Sequence, residues 1–202
     1  MNRVLFLQTH LGSGSECLFR SLDNHPRIQG CNFGQYNDPL DIVRLLELEH
    51  KNKNSASIYL DELRFNHSIA SKWVYRHAMH LFFIREPQGS LNEIVHAQKY
   101  DCHKALRYYS SRLRRLCSIA RAAGGVLLTE EDLARGEGTQ LVENMLRINI
   151  PPIQFSLADI PQTVPLSVVD KGSEYYEKYL FYLRNCGLIS TKQFNPAIDP
   201  VD

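Results

Sequence analysis

The sequence lacks an excess of charge of either sign. Its 23 lysines and arginines balance 22 aspartates and glutamates, which gives a formal net charge of +1. A protein that holds nucleic acid mainly by neutralising phosphates carries a marked basic excess. The charge balance therefore argues against nucleic acid as a partner and, by itself, names no other.

Long apolar runs and paired cysteines are also missing. No stretch approaches the roughly 18 apolar residues that a membrane-spanning helix needs, and polar Gln8 and His10 follow the apolar start too early for a signal-peptide core. The five cysteines are odd in number, scattered and without a CxxC pair, which argues against a disulfide framework or a cysteine zinc site. We expect reduced thiols, a cytoplasmic location and no membrane span.

Repeats, linkers and metal-ligand clusters are absent as well. His77 and His80 have no third ligand at a suitable spacing, so no metal is expected. What the sequence does have, at 202 residues with 44% hydrophobic and 22% charged residues, is the composition of a globular protein. We expect residues 1–202 to form one domain.

Short apolar runs alternate with helical patterns along the chain. The runs, typical of strands buried on both faces of a parallel sheet, are Val4–Leu7, Ile58–Leu60, Leu81–Ile84 and Val126–Leu128. Helices are predicted between Ser15 and His25, at 39–49, 90–98, 103–123, 140–147 and 174–185, with a short capped one after Thr129. This alternation predicts a three-layer α/β domain with a mostly parallel sheet.

Ligands of such sheets bind beyond the carboxyl ends of the strands. The segment after the first strand, Thr9–Ser15, can aim backbone N–H groups, a helix N-terminus and the hydroxyls of Ser13 and Ser15 at an anion. It is not a Walker A loop, because GxxxxGK(S/T) needs a lysine where this chain has Gly14-Ser15-Glu16. A glycine–serine turn of this kind also serves as a purely structural connection. The other candidates at strand ends are Asp61–Glu62, Arg85 and Glu130–Asp132.

Four segments in this order resemble the sulfotransferase superfamily, which uses 3′-phosphoadenosine 5′-phosphosulfate (PAPS). They are VLFLQTHLGSGSECLFRSLDNHP (4–26), LFFIREP (81–87), VLLTEEDL (126–133) and the stretch 141–152. The first is similar to the family's strand, (K/R)SGTT loop and helix, the second to its strand ending in Arg-Asp-Pro, and the third to its YEDL segment. The resemblance implies a P-loop-like fold and metal-free sulfuryl transfer from PAPS, with PAP as product. The implied acceptor is a hydroxyl, less often an amine, of a small molecule, carbohydrate or lipid.

The resemblance also implies a nucleotide site. The residues implied at the phosphosulfate are Gly12, Ser13, Gly14 and Ser15. Arg85 matches the arginine that binds the 3′-phosphate. The serine that assists it in the family falls here at Glu93, which would repel a phosphate, and Ser90 is the candidate substitute.

The family's proton acceptor is a His or Glu near the end of the second strand or after the first helix. By position, Asp61 and Glu62 are the leading candidates for this base, followed by His10 and His67. A carboxylate at such a position can equally cap a helix or form a salt bridge. Both interpretations stay open on the sequence alone.

The cation that opens the family's loop is missing, because Gly12 stands in its place. Another cation would have to offset charge on the sulfuryl oxygens, and the candidates are His10, Arg64 and Lys72, with His10 best placed. Arg85 can alternatively form a structural ion pair with Glu86 or Asp132. Two rival functions follow: a P-loop kinase of a nucleotide or metabolite, and a degenerate member that keeps the fold as a binding module.

Overall fold

The computed structural model describes residues 3–33, 42–51, 58–66, 76–153 and 161–190. The strands are β1 (Arg3–Gln8), β2 (Ile28–Gly30), β3 (Ile58–Leu63), β4 (Met79–Ile84) and β5 (Val126–Thr129). The helices are α1 (Glu16–Asp23), α2 (Ile42–Lys51), α3 (Pro87–Gln98), α4 (Cys102–Ala123), α5 (Glu130–Ala134), α6 (Glu137–Leu146) and α7 (Leu166–Arg184).

The strands form one sheet in the order β2-β3-β1-β4-β5, and every neighbouring pair is parallel. The central strand β1 pairs with β3 and β4, so Leu7 lies opposite Glu62 on one side and Leu81 on the other. The predicted α/β class with a mostly parallel sheet is confirmed. The carboxyl ends of β1, β3 and β4 consequently meet at one edge.

Helices cover both faces of this sheet. Leu5, Leu7 and Leu60 pack with α1, α5 and α6 on one face. On the other face, Phe82 and Leu127 pack with α3, α4 and α7, while β1 and β3 contact α2. Alternation of side chains along each strand divides these two apolar clusters. Among the described helices, none has both the length and the apolar character needed to cross a membrane.

Helices α3 and α6 each begin three residues earlier than predicted, and three further differences concern β2, β3 and α7. The three-residue strand β2 was not predicted, because Ile28-Gln29-Gly30 carries only one apolar side chain. Strand β3 does not end before Asp61 and Glu62 but runs through both to Leu63, and both acids are fully buried. Helix α7 begins at Leu166 rather than Glu174. Residues 39–41 of the second predicted helix lie outside the described residues.

Candidate functional site

The loop between β1 and α1 turns tightly against helix α3. Gly12 and Gly14 both have φ of +71°, a backbone conformation that glycine adopts without strain. A Cβ atom at Gly12 would lie 2.5 Å from the Ser90 carbonyl oxygen. The fold therefore requires glycine at position 12, where the sulfotransferases that the sequence resembles have a basic residue. Any side chain there would be strained by the left-handed backbone and would clash with Ser90.

His10 connects this loop to the end of β4. Its Nδ1 donates to the Leu11 carbonyl at 2.8 Å, and its Nε2 accepts from the Arg85 backbone N–H at 3.2 Å. The ring is fully buried, and burial lowers its pKa to about 4, against hydrogen bonds that raise it. The expectation of a cationic His10 therefore conflicts with the structure, because the ring is neutral near pH 7 and both nitrogens have partners.

A cluster of buried hydroxyls lies inside the loop. Ser13 Oγ donates to Ser15 Oγ at 2.9 Å, and Ser15 Oγ donates to Glu62 Oε1. Thr9 Oγ1 donates to the same carboxylate oxygen at 3.4 Å. Ser15 stands at the N-cap of α1 but makes no side-chain cap there, contrary to the prediction. Because that hydroxyl points to Glu62, the first-turn N–H groups of α1 lack a serine cap and suit an anion.

Glu62 lies at the carboxyl end of β3, between the loop and an open cavity. Its side chain is completely buried, with Oε1 on the loop hydroxyls and Oε2 at 2.8 Å from Arg64. Arg64 also contacts Glu16 Oε1 at 2.6 Å. Burial lowers the pKa of Arg64, but Glu62 and Glu16 outweigh this and raise it overall. Arg64, one of the candidate cations, is thus shared between two carboxylates.

Asp61 lies on the opposite face of the sheet from Glu62, because neighbouring side chains of a strand alternate. Its negative charge acts on Cys31, and burial together with Asp61 and Asp23 raises the pKa of that thiol to about 12. The structure thus brings Glu62, and not Asp61, to the loop. The remaining candidates, His67 and Lys72, lie outside the described residues.

Arg85 forms the second part of the site, at the end of β4. Its Nη1 donates to the Gly12 carbonyl at 3.2 Å and to Glu93 Oε2 at 3.1 Å. Its Nε lies 3.3 Å from Glu130 Oε2, close enough for an ion pair but not aligned as a hydrogen bond. The guanidinium covers Gly89, where a Cβ would lie 2.2 Å from Nη2. A buried cation is therefore held between two carboxylates.

The two carboxylates at Arg85 are less buried than the arginine itself. The side chains of Glu93 and Glu130 are 26% and 28% exposed, whereas that of Arg85 is 7% exposed. Desolvation is the main cause that raises the pKa of Glu93, with Glu16 adding to it and Arg85 opposing it. Desolvation likewise raises the pKa of Glu130, while Arg85 lowers it and Glu86 raises it. Both acids are thus partly open to solvent, whereas the arginine is not.

Glu86 and Asp132, the acids predicted to pair with Arg85, cap helices instead. Glu86 caps α3 by accepting from the N–H groups of Gln88 and Gly89 at 2.6 and 2.7 Å. Asp132 forms a capping box with Thr129 at the start of α5. The Ser90 hydroxyl donates to the backbone carbonyls of Glu86 at 2.7 Å and Arg85 at 3.4 Å, and not to a group beside the Arg85 guanidinium.

Arg112 lies beside the site but was not among the residues predicted from the sequence. It is 1% exposed in the middle of α4, and it donates to the carbonyls of Thr9 (2.7 Å) and Leu63 and to Gln8 Oε1 (3.2 Å). These acceptors are the carboxyl ends of β1 and β3. Helical periodicity places residue 112 beside buried Leu113, but nothing in the sequence distinguishes it from the other arginines of α4.

A cavity of about 390 Å³ opens beside Glu62 on the α1 side. Its lining combines one face of α1, the end of β3 and one residue shortly after β2: Glu16, Phe19, Arg20, Asp23, Asn32, Glu62 and Arg64. The loop and this cavity therefore meet at Glu62. Within the described ranges, no three His, Cys, Asp or Glu side chains are grouped so that they could hold a metal ion.

Comparison with known proteins gives a structural match and no sequence match. No family model and no curated protein matches the sequence. The fold is similar to the crystal structure of mouse sulfotransferase SULT7A1 complexed with PAP, with a TM-score of 0.52 and 10% sequence identity. The match covers 91% of this chain, which spans 66% of the mouse protein's chain. The chain thus shares the α/β fold of a sulfotransferase.

Proposed function

We propose that the protein transfers a sulfuryl group from PAPS to a hydroxyl of an acceptor, with Glu62 accepting the proton. The observation that carries this proposal is the position of Glu62. One of its oxygens accepts from the hydroxyls of the loop, and the residue also borders the cavity of about 390 Å³. A base at the boundary of two binding spaces can serve a reaction between their occupants.

The chemistry requires little of the protein. The acceptor O–H gives its proton to the Glu62 carboxylate, and its oxygen forms a bond to the sulfur. The bond between that sulfur and the bridging oxygen of the phosphosulfate breaks, and PAP leaves with the oxygen and the bonding electron pair. Arg64 steadies the Glu62 carboxylate through the 2.8 Å ion pair. Hydrogen-bond donors of the loop would hold the charge that develops on the leaving phosphate.

The residues fit the two ends of the nucleotide unequally. At the 5′ end, the tight turn at Gly12 and Gly14 and the first-turn N–H groups of α1 present donors to an anion. At the 3′ end, Arg85 suits a phosphate, but Glu93 and Glu130 already pair with it. We propose that the 3′-phosphate takes their place, because both acids reach solvent while the guanidinium is fixed over Gly89.

The cytoplasm is part of the same proposal. None of the five cysteines forms a disulfide, and each is partly exposed. Burial raises the pKa of the Cys117 thiol to about 12, with the neighbouring Cys186 adding to the effect. Thiols in this state are consistent with a reducing compartment, where they stay unpaired.

The second candidate function is a binding module that has lost catalysis. The ion pairs of Arg85 with Glu93 and Glu130 favour it, since they satisfy the anion-binding arginine from within the chain. The missing basic residue at Gly12 favours it as well. Such a module would bind a nucleotide, or no nucleotide, without transferring a sulfuryl group.

The test is transfer of label from PAPS to a panel of hydroxyl acceptors by the wild type, Glu62→Gln and Asp61→Asn. General-base catalysis contributes roughly 10²- to 10⁴-fold, so Glu62→Gln should lose about that much turnover while PAP affinity stays within a few-fold. Asp61→Asn is the matched control, being an equally buried neighbouring acid on the other face of the sheet. Its turnover should stay near wild type.

Turnover, together with PAP binding measured by calorimetry, separates the two candidate functions. Turnover in the wild type that Glu62→Gln abolishes supports the enzyme. PAP binding without turnover on any acceptor supports the binding module. Equal turnover in the wild type and Glu62→Gln would remove Glu62 from the mechanism, and no binding of PAP would remove the nucleotide.

A further inference from the structure

The cavity beside Glu62 is walled by a polar face of helix α1. That face follows the spacing i, i+3, i+4, i+7 and consists of Glu16, Phe19, Arg20 and Asp23. The helix anchors itself through a different side, where Leu18 and Leu22 are fully buried. A stripe with this spacing is usually apolar when it faces the interior. Here it is mostly charged, and Phe19, its one apolar member, is only 7% exposed.

The charges around the cavity give an excess of one negative charge, since three carboxylates face two guanidinium groups. The carboxylates are Glu16, Asp23 and Glu62, and the cations are Arg20 and Arg64. Arg64 pairs with Glu16 and Glu62. An anionic acceptor would be repelled by this excess. An apolar acceptor would remove water from these groups without replacing its hydrogen bonds, which is costly.

Asn32 adds an uncharged hydrogen-bonding group opposite α1. Its backbone is left-handed, with φ of 57°, in the segment that follows β2. Asparagine tolerates this conformation better than most residues, yet it is uncommon outside glycine. An amide side chain both donates and accepts hydrogen bonds, as a hydroxyl does. Asn32 is therefore the uncharged polar residue of the cavity lining.

We infer that the acceptor is a small, uncharged, hydroxyl-rich molecule that binds in this cavity with one hydroxyl at Glu62. The inference rests on the proposed function and narrows its acceptor. A volume of about 390 Å³ lies at the lower end of the range of roughly 300–1,000 Å³ for ligand pockets, which suits a molecule of sugar size. Carboxylate, guanidinium and amide groups supply acceptors and donors for several hydroxyls at once.

The first test compares three acceptors of different chemistry with labelled PAPS. Methyl glucoside is uncharged and hydroxyl-rich, 2-naphthol is planar and apolar, and glucose 6-phosphate is anionic. We expect kcat/KM to be at least about tenfold higher for the glucoside than for the other two, which is about 1.4 kcal/mol. A preference for 2-naphthol or for glucose 6-phosphate would overturn the inference and leave sulfuryl transfer itself intact.

The second test removes the amide of Asn32 without straining the backbone. Asn32→Gly keeps the left-handed conformation, because glycine adopts it freely. We expect KM for the glucoside to rise about tenfold, with kcat and PAP affinity unchanged. Lys99→Gly is the control, since Lys99 also has a left-handed backbone, with φ of 55°, at the C-cap of α3. It should change neither constant.

Binding of the glucoside without turnover is measured by ligand-observed NMR on the PAP-loaded protein and on the protein alone. The glucoside should give a binding signal that Asn32→Gly weakens and 2-naphthol does not compete away. Absence of that signal in both samples overturns the acceptor inference whatever the turnover. Failure to bind PAP, by contrast, overturns the proposed function.

Discussion

The two parts of the candidate site have opposite electrostatic arrangements. Around Glu62, a buried carboxylate is surrounded by donors from Ser15, Thr9 and Arg64. Around Arg85, a buried guanidinium is surrounded by acceptors, namely Glu93, Glu130 and a loop carbonyl. The first arrangement holds a carboxylate against the loop that we propose binds the 5′-phosphate. The second already supplies an anion from within the chain, so a phosphate there has to displace one.

Gly12 and His10 join these two regions. The Gly12 carbonyl accepts from Arg85 while the glycine itself packs on Ser90. The His10 ring bridges the loop carbonyl of Leu11 and the backbone N–H of Arg85. If the two regions act as one site, substitutions at Gly12 or His10 should disturb the structure of both. Substitutions within one region should instead change nucleotide binding and leave the fold intact.

The largest effect on stability is expected for a substitution at Gly12. Gly12→Ala places a side chain 2.5 Å from the Ser90 carbonyl oxygen in a left-handed backbone, and strain plus overpacking should cost about 3–5 kcal/mol of unfolding free energy. Gly136→Ala is the control, because Gly136 has φ of +76° and open space around it. Its cost should be about 1 kcal/mol. Denaturant unfolding measures both, and equal costs would show that the loop does not pack tightly on α3.

The buried His10 ring should make the folded protein less stable in acid. The folded-state pKa of His10 is about 4, below its ordinary value of 6.5, so the unfolded chain binds a proton more readily. Its stabilising contribution is complete above pH 6.5 and is lost as pH falls towards 4, by about 3 kcal/mol at pH 4. Denaturant unfolding between pH 7 and 4 should show this loss in the wild type and a smaller slope in His10→Gln. Identical slopes in the two proteins would contradict a buried neutral ring.

Removing the cation of the second region should weaken PAP binding. Arg85→Ala loses a charge-assisted contact of roughly 1.5–3 kcal/mol, which corresponds to about a ten- to hundredfold loss of affinity. Arg121→Ala, an exposed arginine near the end of α4, is the control and should bind like the wild type. Calorimetry decides the matter, and unchanged affinity in Arg85→Ala would mean that the 3′-phosphate binds elsewhere.

The smallest effect concerns the competing acids. Because the pKa values of Glu93 and Glu130 are already raised, a phosphate beside them should raise them further and make binding take up protons. PAP affinity should therefore increase as the pH falls, at pH values above the second phosphate pKa near 6. Glu93→Gln should bind PAP more tightly than the wild type and show a flatter pH dependence. Weaker binding in Glu93→Gln would mean that this acid assists the nucleotide.

The framework of the fold follows from the sequence because its central strands are buried on both faces. Leu81–Ile84 and Val126–Leu128 leave no other interpretation for four- and three-residue apolar runs between helices. The start of α7 was not predictable in the same way. The helix includes Gly172, where a Cβ would lie 2.8 Å from Pro87 Cβ, so α7 packs closely on α3 there. Close helix packing, which no local pattern reports, decides that position.

The site was predictable in its location but not in its contacts. Parallel topology brings the loop, Glu62 and Arg85 to one edge of the sheet, as expected for strand ends. Which carboxylates pair with Arg85 depends on how α3 and α5 meet β4, so Glu93 and Glu130 were found there instead of Glu86 and Asp132. The neutral state of His10 depends on burial by Tyr109 and the β4 end, which is likewise a tertiary effect.

A crystal structure of the protein with PAP would show whether the loop and Arg85 hold the two ends of one nucleotide. We expect the 5′-phosphate at Ser13–Ser15 and the first turn of α1, and the 3′-phosphate on the Arg85 guanidinium. We also expect Glu93 and Glu130 to have rotated away from Arg85 while Glu62 keeps its contacts with Ser15 and Arg64. PAP bound away from this edge of the sheet, or at the loop with both carboxylates still on Arg85, would contradict this arrangement.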